Sequence, residues 1–184
     1  MSDVSLVVIS TAHGEIVVEL DHARAPKTAA HFRKLVADGW LDGAAFYRVV
    51  HKAGTPGHQP TIDVIQGGRG EDLPPDVPTV EHEPTNITGL RHVTGAISLA
   101  KAVDQPASSE FFITLGEFPA LDAGTLEGRA AQGFAVFGRV VSGLEVARKI
   151  HDLPSEAPPP PGWDVNLFKN QFLNEPVSAR LTLR

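Results

Sequence analysis

The amino-acid sequence predicts a mainly β fold, a barrel or sandwich with helices covering its ends. Three observations predict it. About eight short segments read as strands, and only two read as helices. Strands and helices do not alternate in the rhythm that builds a parallel sheet. The chain ends in strict alternation, with Val177, Ala179, Leu181 and Leu183 on one face and Ser178, Arg180, Thr182 and Arg184 on the other. That pattern, over 177–183, is a half-buried strand placed to close a sheet.

The elements follow in order. Val4 to Ser10 and Glu15 to Leu20 are apolar and β-branched, and Thr11-Ala12-His13-Gly14 between them is a turn, so the chain opens on a hairpin. Pro26 suits a first helical position, Ala29, Phe32, Leu35 and Val36 recur at helical spacing, and Gly39 stops the helix. Phe46 to Val50 is a strand, followed by a loop rich in Gly and Pro from His51 to Pro60. Ile62 to Gln66, Ala96 to Ala100, Glu110 to Thr114 and Phe134 to Val140 read as further strands, with a long polar connection over 69–94. Ser142 and Glu145 have capping-box spacing ahead of a helix face of Leu144, Ala147 and Ile150. A Pro-rich run, 154–161, is expected to be extended. Only about 20 residues follow it, too few to fold alone, so they should pack back on the barrel.

With 184 residues, 42% of them hydrophobic and 21% charged, the chain fits one globular domain, 1–184. A net charge of -6 argues against a nucleic-acid partner. Apolar runs are too short to cross a bilayer, and the first residues lack the basic start and small-residue site of a signal peptide. The absence of cysteine excludes disulfides and thiolate metal sites and fits a reducing compartment. The expectation is a soluble cytoplasmic monomer.

Most catalytic motifs are missing. Gly67-Gly68-Arg69-Gly70 lacks the Lys-Ser/Thr of a phosphate loop and has no helix after it. No histidine pair has ligand spacing, and His82 between Glu81 and Glu83 reads as a solvated loop. No serine sits in a nucleophile elbow, and there is no cysteine nucleophile. No metal and no cofactor is expected.

Six blocks carry a family resemblance. They are Gly39-Trp40-Leu41-Asp42-Gly43-Ala44-Ala45-Phe46-Tyr47-Arg48-Val49, Ile65-Gln66-Gly67-Gly68, Leu90 through Ala100 with its His92, Gly95 and Ser98, Ser108 through Thr114, Leu121-Asp122, and Phe134 through Val140. In that order they resemble the cyclophilin-type peptidyl-prolyl cis-trans isomerases, over roughly residues 5–152. The resemblance implies a closed eight-stranded antiparallel barrel capped by two helices, with a groove on its outer wall for proline-containing peptides and folding proteins. It implies that Arg48 is the catalytic arginine, Gln66 the glutamine on the substrate backbone and Phe112 the floor of the proline pocket. Leu121 falls on the apolar wall, Val64 in the place of a pocket methionine, and Ala100, Lys101 and Ala102 on the strip beside the peptide. Glu110 stands where the family has glutamine and Phe134 where it often has histidine; both are expected to contact substrate. Tyr47 replaces a histidine, and Ala120 stands where a tryptophan often lies.

Two points stay open at this level. Phe111 and Phe112 are adjacent on a strand, so one is core and the other faces out, and periodicity does not say which. Asp63 occupies the slot of a pocket phenylalanine; either it pairs with Arg48, or a bulge lets Ile62 fill the slot. The expected activity is rotation of X–Pro bonds; the alternative is a proline-peptide binding module with weak or no catalysis.

Overall fold

Thr11 and Gly14 face each other across a tight turn, Gly14 at φ +126°, so β1 (Ser5–Thr11) and β2 (Gly14–Leu20) fold back as an antiparallel pair. They belong to one nine-stranded sheet in the computed structural model, which describes residues 5–53, 61–102, 104–125 and 131–184. Val4 and the stretch from Gly54 to Pro60 lie outside the described residues. The other strands are β3 (Ala45–Val50), β4 (Val64–Gly68), β5 (Ala96–Leu99), β6 (Phe111–Thr114), β7 (Ala135–Ser142), β8 (Phe172–Ser178) and β9 (Arg180–Leu183). The order across the sheet is β8-β3-β4-β6-β5-β7-β2-β1-β9, and every neighbouring pair is antiparallel.

The two outer strands are consecutive in the chain, which is how the sheet curls into a barrel. β8 pairs with β3 and β9 pairs with β1, so the C-terminal run ties both edges together. The expected count of eight strands becomes nine for this reason. The run changes partner at Ala179, whose N–H bonds the Ala44 carbonyl, and the ladder breaks there. The run also starts earlier than its alternating part, at Phe172 rather than Val177.

Helix α1 (Pro26–Ala37) buries Ala29, Phe32 and Leu35 over one end of the barrel. Phe32 meets Phe111 edge-on at 5.5 Å and Phe137 at 4.8 Å, joining helix and sheet in one aromatic core. Glu83, from the long connection, accepts the Thr28 N–H at 2.6 Å and the Lys27 N–H at 3.3 Å. It thus satisfies N–H groups the helix itself leaves unpaired. The other end is covered by a helix over Leu144–His151, which buries Val146, Ala147 and Ile150. The expected capping box does not form. Ser142 is the last residue of β7, and Gly143, left-handed at φ +87°, starts the helix with no side-chain cap. A third helix, beyond the two expected, is a single turn at Thr85–Thr88; the sequence there has no period because one turn is too short to show one. In chain order this turn is α2 and the helix over Leu144–His151 is α3. No helix among the described residues is long and apolar enough to cross a membrane.

Candidate active site

A bulge in β3 builds the site. Phe46 pairs with Gly67 and Arg48 pairs with Gln66, leaving Tyr47 as an extra residue against β4. Against β8 the register also shifts here, but the excess is on β8, where residues 173–176 lie between Phe172 and Val177, the partners of Arg48 and Phe46. An extra residue reverses the in-out alternation of everything after it. Phe46 therefore points into the core, fully buried, while Arg48 and Tyr47 line the outer wall and Val49 returns to the core. On β4, Val64 and Gln66 face out and Ile65 faces in. On β6, Phe111 lies in the barrel core and Phe112 in a separate outer cluster, which decides between the two. Gly67 is glycine because a Cβ there would come within 2.9 Å of the Phe46 ring and 3.0 Å of the Ala45 carbonyl. This close packing brings β3 and β4 together beneath Arg48 and Gln66.

The outer cluster contains Val50, Ile62, Val64, Phe112, Phe118 and Leu121, with Ala100 and Phe134 packed against it. Leu121 ends a short turn at Pro119–Leu121, and Phe134, just before β7, meets Phe112 edge-on at 5.4 Å. Phe112 is supported from behind. His92 stacks on it at 5.8 Å and 8°. Asp122 Oδ1 accepts from His92 Nδ1 at 2.7 Å and from the His92 backbone N–H at 3.0 Å, so Nε2 accepts from the Ser98 hydroxyl at 3.0 Å. Burial pushes His92 below the usual histidine range, against the pull of Asp122. A neutral buried histidine has a sign: the unfolded chain binds the proton more readily, so stability is full above about pH 6.5 and falls as pH drops through the folded value. His31 and His51, also pushed down by burial, act in the same sense. We expect the urea midpoint to fall between pH 7.5 and 5, and to fall less in His92→Gln; an equal fall in both proteins would remove His92 as a cause.

The polar half of the site is a chain of hydrogen bonds. Arg48 Nη1 donates to Gln66 Oε1 at 2.8 Å. Arg48 Nε and Nη2 both donate to Gln171 Oε1, at 3.0 and 2.6 Å. Gln66 Nε2 donates to the Tyr47 hydroxyl at 2.9 Å, and Tyr47 donates to Glu110 Oε1 at 2.8 Å. Burial, with the Glu110 charge beside it, pushes the Tyr47 phenol up, so it stays neutral and donates. Burial lowers Arg48 to about 10, which still leaves it charged at neutral pH. A guanidinium has five N–H bonds, and three are used among the described residues, which leaves one on each terminal nitrogen.

All ten sequence-predicted residues (Arg48, Gln66, Phe112, Val64, Ala100, Lys101, Ala102, Glu110, Leu121 and Phe134) line one cavity of about 740 Å³. Glu110 does so from the rim. Its carboxylate is taken up by Tyr47, by the backbone N–H groups of Arg69 and Gly70 and by Ser109, which fixes the turn at 69–72. Asp63 does not pair with Arg48. It accepts the Lys52 N–H at 2.7 Å, and Ile62 lines the cavity instead.

Sequence reasoning missed one wall. Pro160, Trp163, Phe168, Phe172 and Pro176 also line the cavity, and Phe168 lies 5.3 Å from the Arg48 guanidinium. The cue was present: aromatic residues interrupt an otherwise polar tail after the Pro-rich run. They have no period, so no element could be assigned to them. The structure also gathers possible metal ligands that sequence spacing does not pair. His51, Asp63 and His151 each bring one atom to within 4.8 Å of the others. His151 Nε2 is already bonded to the Val50 carbonyl at 2.8 Å, and Asp63 to Lys52.

A fixed cation beside an apolar pocket on the outside of a nearly closed antiparallel barrel belongs to the class of concave sites that hold a ligand by apolar walls and a few placed polar groups. The comparisons with known proteins bear on which family this is. Residues 6–169 match the family described as cyclophilin type peptidyl-prolyl cis-trans isomerase/CLD. Peptidyl-prolyl cis-trans isomerase A of Dickeya dadantii is 35% identical over 153 residues, covering 82% of this chain and 73% of the relative. Peptidyl-prolyl cis-trans isomerase ppi1 of Schizosaccharomyces pombe is 34% identical over 147 residues, 78% of this chain and 83% of the relative. A Cryptosporidium parvum cyclophilin-type isomerase, crystallised in the presence of the dipeptide Ala-Pro, has the same fold with a TM-score of 0.67 at 20% identity, covering 97% of this chain and 98% of its own. The chain belongs to the cyclophilin-type peptidyl-prolyl cis-trans isomerase family.

Proposed function

We propose that the chain is an active isomerase of X–Pro bonds, with Arg48 as the catalytic residue, and that it acts on proline-containing peptides and folding proteins. The observation that carries the reading is the guanidinium held by Gln66 and Gln171 with two N–H bonds unused, at the edge of the Phe112 pocket. Resonance sets the barrier to rotation near 20 kcal/mol. In the twisted state the prolyl nitrogen regains its lone pair and becomes an acceptor. A guanidinium N–H aimed there binds the twisted state better than the planar one, which is the condition for catalysis. Phe112, Val64, Leu121 and Phe134 grip the ring and exclude water, and exclusion strengthens the charged hydrogen bond. Gln66 and the strip Ala100, Lys101, Ala102 hold the peptide backbone in place. A rate gain of about 10⁵ requires roughly 7 kcal/mol, the order that one charged bond, orientation and desolvation together supply. No bond breaks and no proton moves, so the reading calls for no cofactor and no metal.

The same reading has residues 1–184 as one domain and the protein as a cytoplasmic monomer. The absence of cysteine is consistent with a reducing compartment. The experiment is the cis-to-trans rate of an Ala-Pro test peptide with purified protein. Acceleration supports the isomerase. No acceleration from folded protein that still binds the peptide would give the binding module instead. An acidic pocket would favour that module, but Asp63 and Glu110 are both bonded to groups other than Arg48.

A further inference from the structure

The cavity is larger than its proposed task. At about 740 Å³ it is in the range of sites that enclose a drug-sized molecule, several times what one proline ring fills. Part of its wall is the segment from Pro154 to Gln171, which contributes Pro160, Trp163 and Phe168 to the lining and brings Gln171 onto Arg48. This segment is fixed rather than loose. The Ala157 N–H bonds the Phe172 carbonyl at 3.1 Å, and the Asn174 N–H bonds the Pro154 carbonyl at 2.9 Å. Glu156 N–H donates to Asn174 Oδ1 at 2.7 Å. Asp164 Oδ1 accepts the N–H groups of Asn166 and Leu167 at 2.8 and 2.9 Å and closes a turn. The Gln171 side chain is buried on Arg48, and the Gln171 carbonyl accepts the Val49 N–H at 2.8 Å.

This scaffold presents aromatic faces. Trp163 meets Phe168 at 4.7 Å and 71°, and Phe172 at 5.5 Å and 89°. Phe172 is buried and anchors the group, while Trp163 and Phe168 are half-buried and line the cavity. Phe168 also carries the Arg48 guanidinium near its ring. Two large rings that a domain orders but leaves half open to a binding cavity have apolar surface still to be covered. The wall is continuous with the proline pocket through Phe172 and Arg48, so a peptide in that pocket passes over it.

Resting on the isomerase reading, we propose that Trp163 and Phe168 form a second subsite of the groove, which selects substrates carrying an aromatic or large aliphatic side chain next to proline. The Arg48 charge at its edge disfavours lysine or arginine in that place.

The test is kcat/KM for two peptide series, Ala-Xaa-Pro-Ala and Ala-Ala-Pro-Xaa, with Xaa as Phe, Leu, Ala and Lys. Binding of each peptide is followed in parallel by titration calorimetry. The wild-type protein is expected to favour Phe over Ala by about tenfold at one flank, the worth of one good ring contact. Trp163→Ala and Phe168→Ala should each bring the Phe-to-Ala ratio towards one, and Trp163→Tyr should retain it. Melting curves establish that each variant is folded. Acceleration with no preference at either flank would overturn the subsite and leave the isomerase standing. So would a preference that survives both alanine variants. If no peptide is accelerated, the isomerase reading fails, and the calorimetric ratio alone decides the subsite: tenfold supports it and equality overturns it.

Discussion

Arg48→Ala lowers kcat/KM for an X–Pro peptide by at least tenfold, and on the order of 10²-fold, while the barrel stays folded. The loss follows from what the guanidinium does in this frame. It is half-buried and held on three of its five N–H bonds, so its remaining donors are fixed in direction before substrate arrives. Alanine removes the donor and its charge together. The stability cost is of similar order: Gln66 Oε1 and Gln171 Oε1 each lose a partner, at about 1–3 kcal/mol for a buried acceptor left unpaired, less where water from the groove replaces the guanidinium. Arg48→Lys should not restore activity, because one ammonium cannot reach Gln66 and Gln171 in a planar fork and also serve substrate. Initial rates on an Ala-Pro peptide, with a melting curve for each variant, check this. Wild-type turnover in folded Arg48→Ala would remove Arg48 from the mechanism.

The parts of this molecule legible in the sequence are those where one local rule acts alone. Thr11 to Gly14 turns because glycine permits it, and Pro26–Ala37 is a helix, stopped just before Gly39, because period, start and stop agree. Arg48 is a different case. Strict alternation over Phe46 to Val50 would put Phe46 and Arg48 on one face. The bulge at Tyr47 separates them, and a bulge is fixed by how three strands pair, which no local pattern records. Here the family motif points to Arg48 where periodicity could not, since it marks the residue whatever the register, and the structure puts Arg48 on the cavity wall. Gln171 lay beyond both methods. It follows the last motif block, and a fully buried glutamine makes sense only once Arg48, 123 positions earlier, is seen to donate to it twice. The C-terminal aromatics share that limit. Their partners are one another and the groove, at separations set by turns at Asp164 and Asn170, the latter left-handed at φ +60°.

Phe111→Ala and Phe112→Ala should fail in different ways, although the residues are adjacent and identical. Phe111 has no exposed surface and sits between Phe32 at 5.5 Å and Phe46 at 5.8 Å. Its removal leaves a cavity in the middle of the barrel and costs about 3–5 kcal/mol. A domain is typically stable by only about 5–15 kcal/mol, so this variant unfolds at far lower denaturant. Its folded fraction keeps the groove, and kcat/KM per folded molecule should stay within a few-fold of wild type. Phe112 forms the pocket floor, with Phe134 at its edge and His92 behind it. Its truncation opens onto the groove, where water and neighbouring side chains fill part of the gap, so the stability loss is the smaller of the two. On the proposed reading, the proline ring loses the surface it would lie on. About 2–3 kcal/mol of lost contact corresponds to a fall in kcat/KM on the order of 10²-fold. Urea titrations and initial rates on both variants separate the cases. Loss of activity with Phe111→Ala at unchanged stability, together with an active but unstable Phe112→Ala, would mean that β6 presents the opposite face to substrate. The bulge-set register that places Arg48 beside Gln66 would then be wrong too, because Gln66 pairs directly with Phe112.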